Sequence, residues 1–138
     1  MSEHILNVSV VTPRATAYEG TALAVSVPGS QSPFQILYNH APIISSLDIG
    51  VLKIEDEKNH VSYFAAREGF VEVLKNNVNI VVQDILQASD IDVIAAENDL
   101  ASSRAKADSD PDRGARELAR KELHWAEARI RAARLQSE

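Results

Sequence analysis

Residues 34–47, FQILYNHAPIISSL, decide how the sequence is read, with Gly50 three residues beyond them. Phe34, Ile36 and Leu37 make a short apolar run that stops at Tyr38-Asn39-His40. Pro42 opens a second run, Ile43-Ile44, which ends at Leu47. Asn39 tolerates a positive φ, while Pro42 fixes its own φ and biases Ala41 away from helix. The stretch therefore predicts two strands joined by a tight, partly exposed corner. That corner projects one imidazole, His40, which on local grounds is a structural turn residue.

Outward from this corner, from His4 to Asp84, short β-rich runs alternate with turn signals. The runs are Ile5–Val11, Thr16–Tyr18, Ala22–Val27, Phe34–Leu37, Ile43–Leu47, Val51–Glu55, His60–Ala66, Phe70–Leu74 and Val78–Val82. Breakers such as Thr12-Pro13, Pro28-Gly29 and Glu68-Gly69 recur at the spacing of an antiparallel sandwich or barrel. Within Ile5–Val11, Leu6, Val8 and Val10 share one face and are predicted to enter a core. Val71 and Val73 share a face in the same way, with Phe70, Glu72 and Leu74 opposite.

The period changes at Ser89-Asp90-Ile91-Asp92. Ser89 and Asp90 are N-cap types, and Asp92 suits the positive end of a helix. Ile91, Ile94, Asn98, Ala101 and Ala105 then recur at helical spacing, which predicts a seam. Asp108-Ser109-Asp110-Pro111 breaks the helix, with Asp110 as cap and Pro111 at the first position of a second helix. That helix runs to about Leu135 with the seam Ala115, Ala119, Leu123, Ala126, Ile130 and Ala133. A short loop makes the pair antiparallel. The expected fold is β + α: an antiparallel β-sandwich over residues 1–87 and a two-helix hairpin over 88–138. Seams built on alanine remove little apolar surface from water, so the hairpin is expected to be weakly held.

Charge separates these two parts. The chain carries a net charge of −6, which argues against a general nucleic-acid binder. Residues 1–112 hold 16 acids and 7 bases, whereas residues 113–134 hold 7 bases and 3 acids. On a helix turning about 100° per residue, Arg113, Arg116, Arg120, His124, Arg131 and Arg134 fall within about 80° of one another, interrupted by Glu127. This stripe is either a solvated face or a surface for an acidic partner. Trp125, off the seam, reads as a packing anchor against another surface.

Chemistry is not evident elsewhere. Cysteine is absent, which excludes disulfides and thiolate metal sites and fits a reducing compartment. His4, His40, His60 and His124 are too scattered for a metal site, and no P-loop, G-x-S-x-G or G-x-G-x-x-G occurs. His40, Ser45 and Asp48 lack any nucleophile motif around them. No apolar run approaches the roughly 18 residues of a membrane span. Met1-Ser2-Glu3-His4 lacks the basic start and apolar region of a signal peptide.

Ile36-Leu37, His40-Ala41-Pro42, Leu47 and Gly50 resemble the corner segment of the epsilon subunits of bacterial F-type ATP synthases. Gln35 and Asn39 stand where that family usually has glycine. The likeness extends to Val10-Val11-Thr12-Pro13, Tyr18-Glu19-Gly20, Gly69-Phe70-Val71-Glu72-Val73 and Ile91-Asp92. The resemblance implies a non-catalytic rotor subunit without cofactor or metal, peripheral on the cytoplasmic face of the bacterial inner membrane. Its partners would be the gamma subunit, the c-ring and, when the hairpin extends, the alpha and beta subunits. It implies a c-ring contact at Tyr38, Asn39, His40, Ala41 and Pro42. It also implies an inhibitory contact to the beta subunits through Arg113, Arg116, Arg120, Arg131 and Arg134. Some members bind ATP at a hairpin motif in which Asp92 would take part. Here Ala95 replaces that motif's arginine and Leu86 a glutamate, so nucleotide sensing is the alternative, alongside an unrelated interaction module.

Overall fold

Alternation along the first run produces β1 (Leu6–Val11), which buries Leu6, Val8 and Val10 and turns Asn7 outward. The computed structural model describes residues 4–138. Met1–Glu3, part of the stretch read against a signal peptide, lie outside them. After β1 come β2 (Thr16–Ala22), β3 (Ala24–Val27), β4 (Phe34–Leu37), β5 (Ile43–Leu47) and β6 (Gly50–Glu55). β7 (Val61–Ala66), β8 (Gly69–Leu74), β9 (Asn77–Val82) and β10 (Ile85–Gln87) complete the strands.

These ten strands form two five-stranded sheets, ordered β2-β1-β9-β8-β5 and β10-β7-β6-β3-β4. All pairs are antiparallel except β1 with β9, which run parallel from Asn7 opposite Asn77 to Val11 opposite Val81. The antiparallel expectation needs this one correction: β1 and β9 belong to distant parts of the chain and enter the sheet from the same end. Between the sheets lies a core dominated by branched side chains, among them Val10, Val25, Ile36, Leu52, Ile54, Val71 and Ile80. Burying each such side chain contributes roughly 1.5–3 kcal/mol, so this interface dominates the stability of the sandwich. At the start of β8, Gly69 lets the backbone of β9 approach closely: a Cβ there would stand 1.9 Å from the Val81 carbonyl oxygen.

The helices begin later than the sequence reading placed them. Ala88–Asp90 form one 3-10 turn, and α1 (Val93–Ser109) is capped by Asp92, whose carboxylate accepts the Ala95 N–H at 3.0 Å. α2 (Arg113–Ser137) is capped by Asp112 through the Ala115 N–H at 2.9 Å, so Asp110 and Pro111 belong to the connecting turn. In both cases the aspartate nearest the first helical residue captures the free N–H groups, as capping geometry requires.

The predicted α1 seam is also corrected. Ile94 is 74% exposed, and the buried residues are Ala96, Ser103 and Ala107. The α2 seam holds, with Ala119, Ala126 and Ile130 buried and Leu123 half-buried. A second face of α2, about 140° round the helix, buries Trp125, Ala128 and Ala132 against Ala65 of β7 and Ala88. The hairpin thus lies on the β10-β7-β6 side of one sheet.

Candidate interaction surfaces

The corner that opened the reading sits between β4 and β5. His40 N–H donates to the Leu37 carbonyl at 3.0 Å and closes a tight turn, with Asn39 at φ 64°. Asparagine reaches this left-handed region more easily than other non-glycine residues, so it serves where glycine is usual. The Asn39 N–H donates to Asn76 Oδ1 at 2.7 Å, tying the corner to the β8–β9 turn. His40 Nδ1 lies 2.7 Å from the Ala41 carbonyl oxygen, and its ring faces Phe34 at 6.2 Å between centroids. Tyr38 packs edge-on to His4 at 4.8 Å. Gln35 points outward from β4 beside buried Ile36, which explains why a side chain is tolerated there. Tyr38, Asn39, Ala41 and Pro42 are all exposed and His40 half-exposed, so the five residues form one rim at the end of the sandwich.

Among the described residues, no helix packs on the outer face of the β2-β1-β9-β8-β5 sheet. Ile44 of β5 and Phe70 and Leu74 of β8 stand on it in the open, Ile44 at 72% exposure. In register, Ile44 lies opposite Glu72, and Ser46 opposite Phe70. The result is an uncovered apolar strip bordered by polar side chains.

The arginine stripe does not present five equivalent cations. Arg116 Nη1 donates to the Asp110 carbonyl at 2.8 Å and so fastens the hairpin turn. Arg113 pairs with Glu117 at 3.2 Å. His124 pairs with Glu127 at 3.3 Å, geometry that carries charge when the imidazole is protonated. Arg120, Arg131 and Arg134 are exposed and have no ion pair among the described residues.

Sequence reasoning missed the junction between hairpin and sandwich. Arg67, in the β7–β8 turn, holds Glu122 of α2 at 2.7 Å and lays its guanidinium 4.8 Å from the Trp125 ring centre. Arg129 approaches the same ring at 5.6 Å and bridges to Asp99 of α1 at 2.9 Å. Trp125 is therefore held by two guanidiniums, one from the sandwich and one from its own helix. At the far end of α2 the Gln136 amide bonds to the edge of β7, accepting from the Tyr63 N–H at 3.0 Å and donating to the Val61 carbonyl at 3.2 Å. β10 pairs only with Phe64–Ala66, so Gln136 satisfies backbone that no strand covers. Only the Trp125 signal was legible in sequence, as a packing anchor against another surface, which here is the sandwich.

The nucleotide alternative finds little support in the geometry. Asp92 spends its carboxylate on the α1 cap, and the Ala95 position offers it only a backbone N–H. The Ala95 methyl and Leu86 supply no group for a phosphate or ribose. Among the described residues no cluster of His, Asp and Glu is placed to hold a metal ion, and no helix is long and apolar enough to cross a membrane.

Residues 5–88 match the family described as ATP synthase, Delta/Epsilon chain, beta-sandwich domain. The chain belongs to this family. An ATP synthase epsilon chain from Leptospira borgpetersenii is 38% identical over 110 residues, covering 80% of this chain and 86% of the relative. An epsilon chain from Staphylococcus saprophyticus is 34% identical over 134 residues, covering 95% of this chain and 98% of that one. Likeness to the epsilon chains thus extends through the hairpin, beyond the family's sandwich domain. In solved structures, the fold is similar to a chain of the Euglena gracilis mitochondrial ATP synthase, determined as OSCP, F1 and c-ring in rotational state 1. The TM-score is 0.83 at 20% identity, over 93% of this chain and 80% of that one. The corner lies within the matched sandwich domain, as does Arg67, the sandwich side of the junction.

Proposed function

We propose that the chain is the non-catalytic central-stalk subunit of a proton-translocating F-type ATP synthase, with a sandwich that links the gamma subunit to the c-ring. Membership of the family makes it a subunit of the complex rather than the catalyst. The corner Tyr38–Pro42 is the surface offered to the c-ring. The apolar strip of Ile44, Phe70 and Leu74 suits a protein partner of the stalk. In this role the subunit is peripheral, on the cytoplasmic face of a bacterial inner membrane.

The hairpin acts as a reversible brake on ATP hydrolysis. The observation that carries this reading is the modest junction: four alanines and one tryptophan, with Ile49, Val51, Tyr63 and Ile91 partly buried around them, and part-exposed polar bridges hold α2 to the sandwich. Alanines contribute little burial energy, and ion pairs at a surface contribute about 0.2–1 kcal/mol each. An extended hairpin exchanges these contacts for arginine contacts to an acidic face of the beta subunits, with Arg120, Arg131 and Arg134 already unpaired. Truncation after Asp90 is expected to raise ATP hydrolysis by the assembled enzyme. Replacing Arg120, Arg131 and Arg134 together by alanine should do so in part, and one replacement alone should do little. Unchanged hydrolysis in a truncated enzyme that still assembles would remove the brake from the proposal.

A further inference from the structure

The Gln136 amide occupies a place on the edge of β7 that belongs, by register, to the backbone after β10. At the turn from β6 the Asp56 backbone N–H donates to the His60 carbonyl at 2.9 Å. At the approach to β10 the Arg67 backbone N–H donates to the Asp84 carbonyl at 2.9 Å. Backbone groups alternate sides along a strand, so the even-numbered residues of β7 bond toward β6 and the odd-numbered ones toward β10. β10 pairs Ile85 with Ala66, Leu86 with Ala65 and Gln87 with Phe64, and stops there. Continued in the same register, Ala88 falls opposite Tyr63 and Asp90 opposite Val61. These are the next two hydrogen-bonded pairs of an antiparallel ladder. The Tyr63 N–H would go to the Ala88 carbonyl, and the Asp90 N–H to the Val61 carbonyl. Gln136 of α2 stands in for both: its Oε1 accepts the Tyr63 N–H at 3.0 Å and its Nε2 donates to the Val61 carbonyl at 3.2 Å. Ala88–Asp90 instead form the 3-10 turn, in which the Ala88 carbonyl accepts the Ile91 N–H at 3.2 Å. The side chains are already in phase for a strand: Ile85 packs on the sandwich core, while Ala88 lies with Ala65 and Tyr63 on the face under α2.

We propose that β10 grows by these three residues when α2 leaves the sandwich, so that the chain's own Ala88–Asp90 replaces Gln136 on the edge of β7. The device rests on the hairpin reading above. A bared edge of N–H and C=O groups is a template for pairing, and the nearest strand able to cover it is β10 itself. Ala, Ser and Asp are weak strand formers, so the turn prevails while Gln136 fills the edge. The Tyr63 N–H is a single donor, so Gln136 and Ala88 compete for it. Redocking of α2 must first peel the extension away, which makes the extended strand a latch on the released state. Strand residues rise about 3.3 Å each against about 2.0 Å in a 3-10 turn, so the growth also carries the start of α1 further along β7.

The test uses the full chain, which has no cysteine of its own, carrying S62C/S89C. In the extended strand Ser62 and Ser89 form the non-hydrogen-bonded pair, with Cα atoms about 4.5 Å apart, within the span of a disulfide. R67A removes the contact of the sandwich with Trp125, and the emission of that sole tryptophan reports release of α2. Under mild oxidant the disulfide should close about tenfold faster in the R67A background than without it, with Q136A intermediate. Should the cysteine pair prevent folding, hydrogen exchange in R67A reads the same event: the Tyr63 amide should stay protected although Gln136 has gone. Closure no faster in a chain whose emission shows α2 released, or a freely exchanging Tyr63 amide there, would overturn the extension. Emission unchanged in both R67A and Q136A would mean that α2 does not leave, and the hairpin reading then fails together with the latch built on it.

Discussion

The guanidinium of Arg67 lies 4.8 Å from the centre of the Trp125 ring while the same side chain grips Glu122 at 2.7 Å. One residue of the sandwich thus holds two residues of α2 a single turn apart. A cation over an aromatic face contributes about 0.5–2 kcal/mol, and the half-exposed ion pair adds about 0.2–1 kcal/mol. Arg67→Ala should therefore shift the hairpin toward undocking by roughly three- to 150-fold, one factor of ten for each 1.4 kcal/mol or so lost. Trp125 is the sole tryptophan and only 7% exposed, so its emission reports docking directly. The variant should show red-shifted, more quenchable emission, and Arg67→Lys an intermediate effect because the planar fork is lost. Emission identical to the parent would mean that Arg67 does not hold the helix.

The exposed corner tests the membrane-side contact. Ala41→Glu adds a charge at an exposed position and disturbs no core residue. The variant should melt within a few degrees of the parent, since surface changes usually stay within about 0.5 kcal/mol. Assembled in membrane vesicles, it should loosen the coupling of proton flow to ATP synthesis. Full coupling in a folded, assembled variant would count against the corner as the contact.

Asp92 separates capping from nucleotide binding. Asp92→Ala should destabilise the start of α1 by about 1 kcal/mol, visible as loss of amide protection at Ala95 and Ala96. Millimolar ATP should leave the melting temperature of the parent unchanged. A rise of several degrees in the parent that vanishes in Asp92→Ala would restore the sensor reading.

Asp56 sets an acid dependence. Its carboxyl is held below the usual range, chiefly by the His60 N–H, which outweighs the opposing effect of desolvation with help from the Lys58 N–H and the positive charges of both residues. The bonds measure 3.0 Å and 2.8 Å. A depressed folded-state pKa means stability fully present above the ordinary value of about 3.9 and lost as pH falls through the lowered value. Urea melts of Asp56→Asn across this acid window should show a shallower pH slope than the parent. Equal slopes would place the acid sensitivity elsewhere.

The sandwich was legible because its signal is local. Leu6, Val8 and Val10, or Val71 and Val73, state their face by alternation alone, and Asn39 with Pro42 states its turn. The three-residue β10 is too short to carry a period. The α1 seam misled because Ile94 outweighs alanine in any apolar pattern, whereas close helix packing selected Ala96, Ser103 and Ala107 for their size. The Arg67–Trp125 contact joins residues far apart in the chain, and no spacing rule records it. Likewise the stripe of arginines was visible as a pattern, but the commitment of Arg116 to the Asp110 carbonyl was not.

The parallel pairing of β1 with β9 has a consequence for synthesis. β1 occupies an interior place in its sheet, and its second edge stays open until residues 77–82 have been made. A chain still attached to the ribosome and ending before Asn77 holds LNVSVV paired to β2 on one edge and open on the other, which is a ready template for pairing with other chains. Closing so long a loop is slow compared with forming a helical hairpin from neighbouring residues. The helices are made last, and the β6–β7 surface on which α2 settles gains its backing layer only when the first strand has found the ninth.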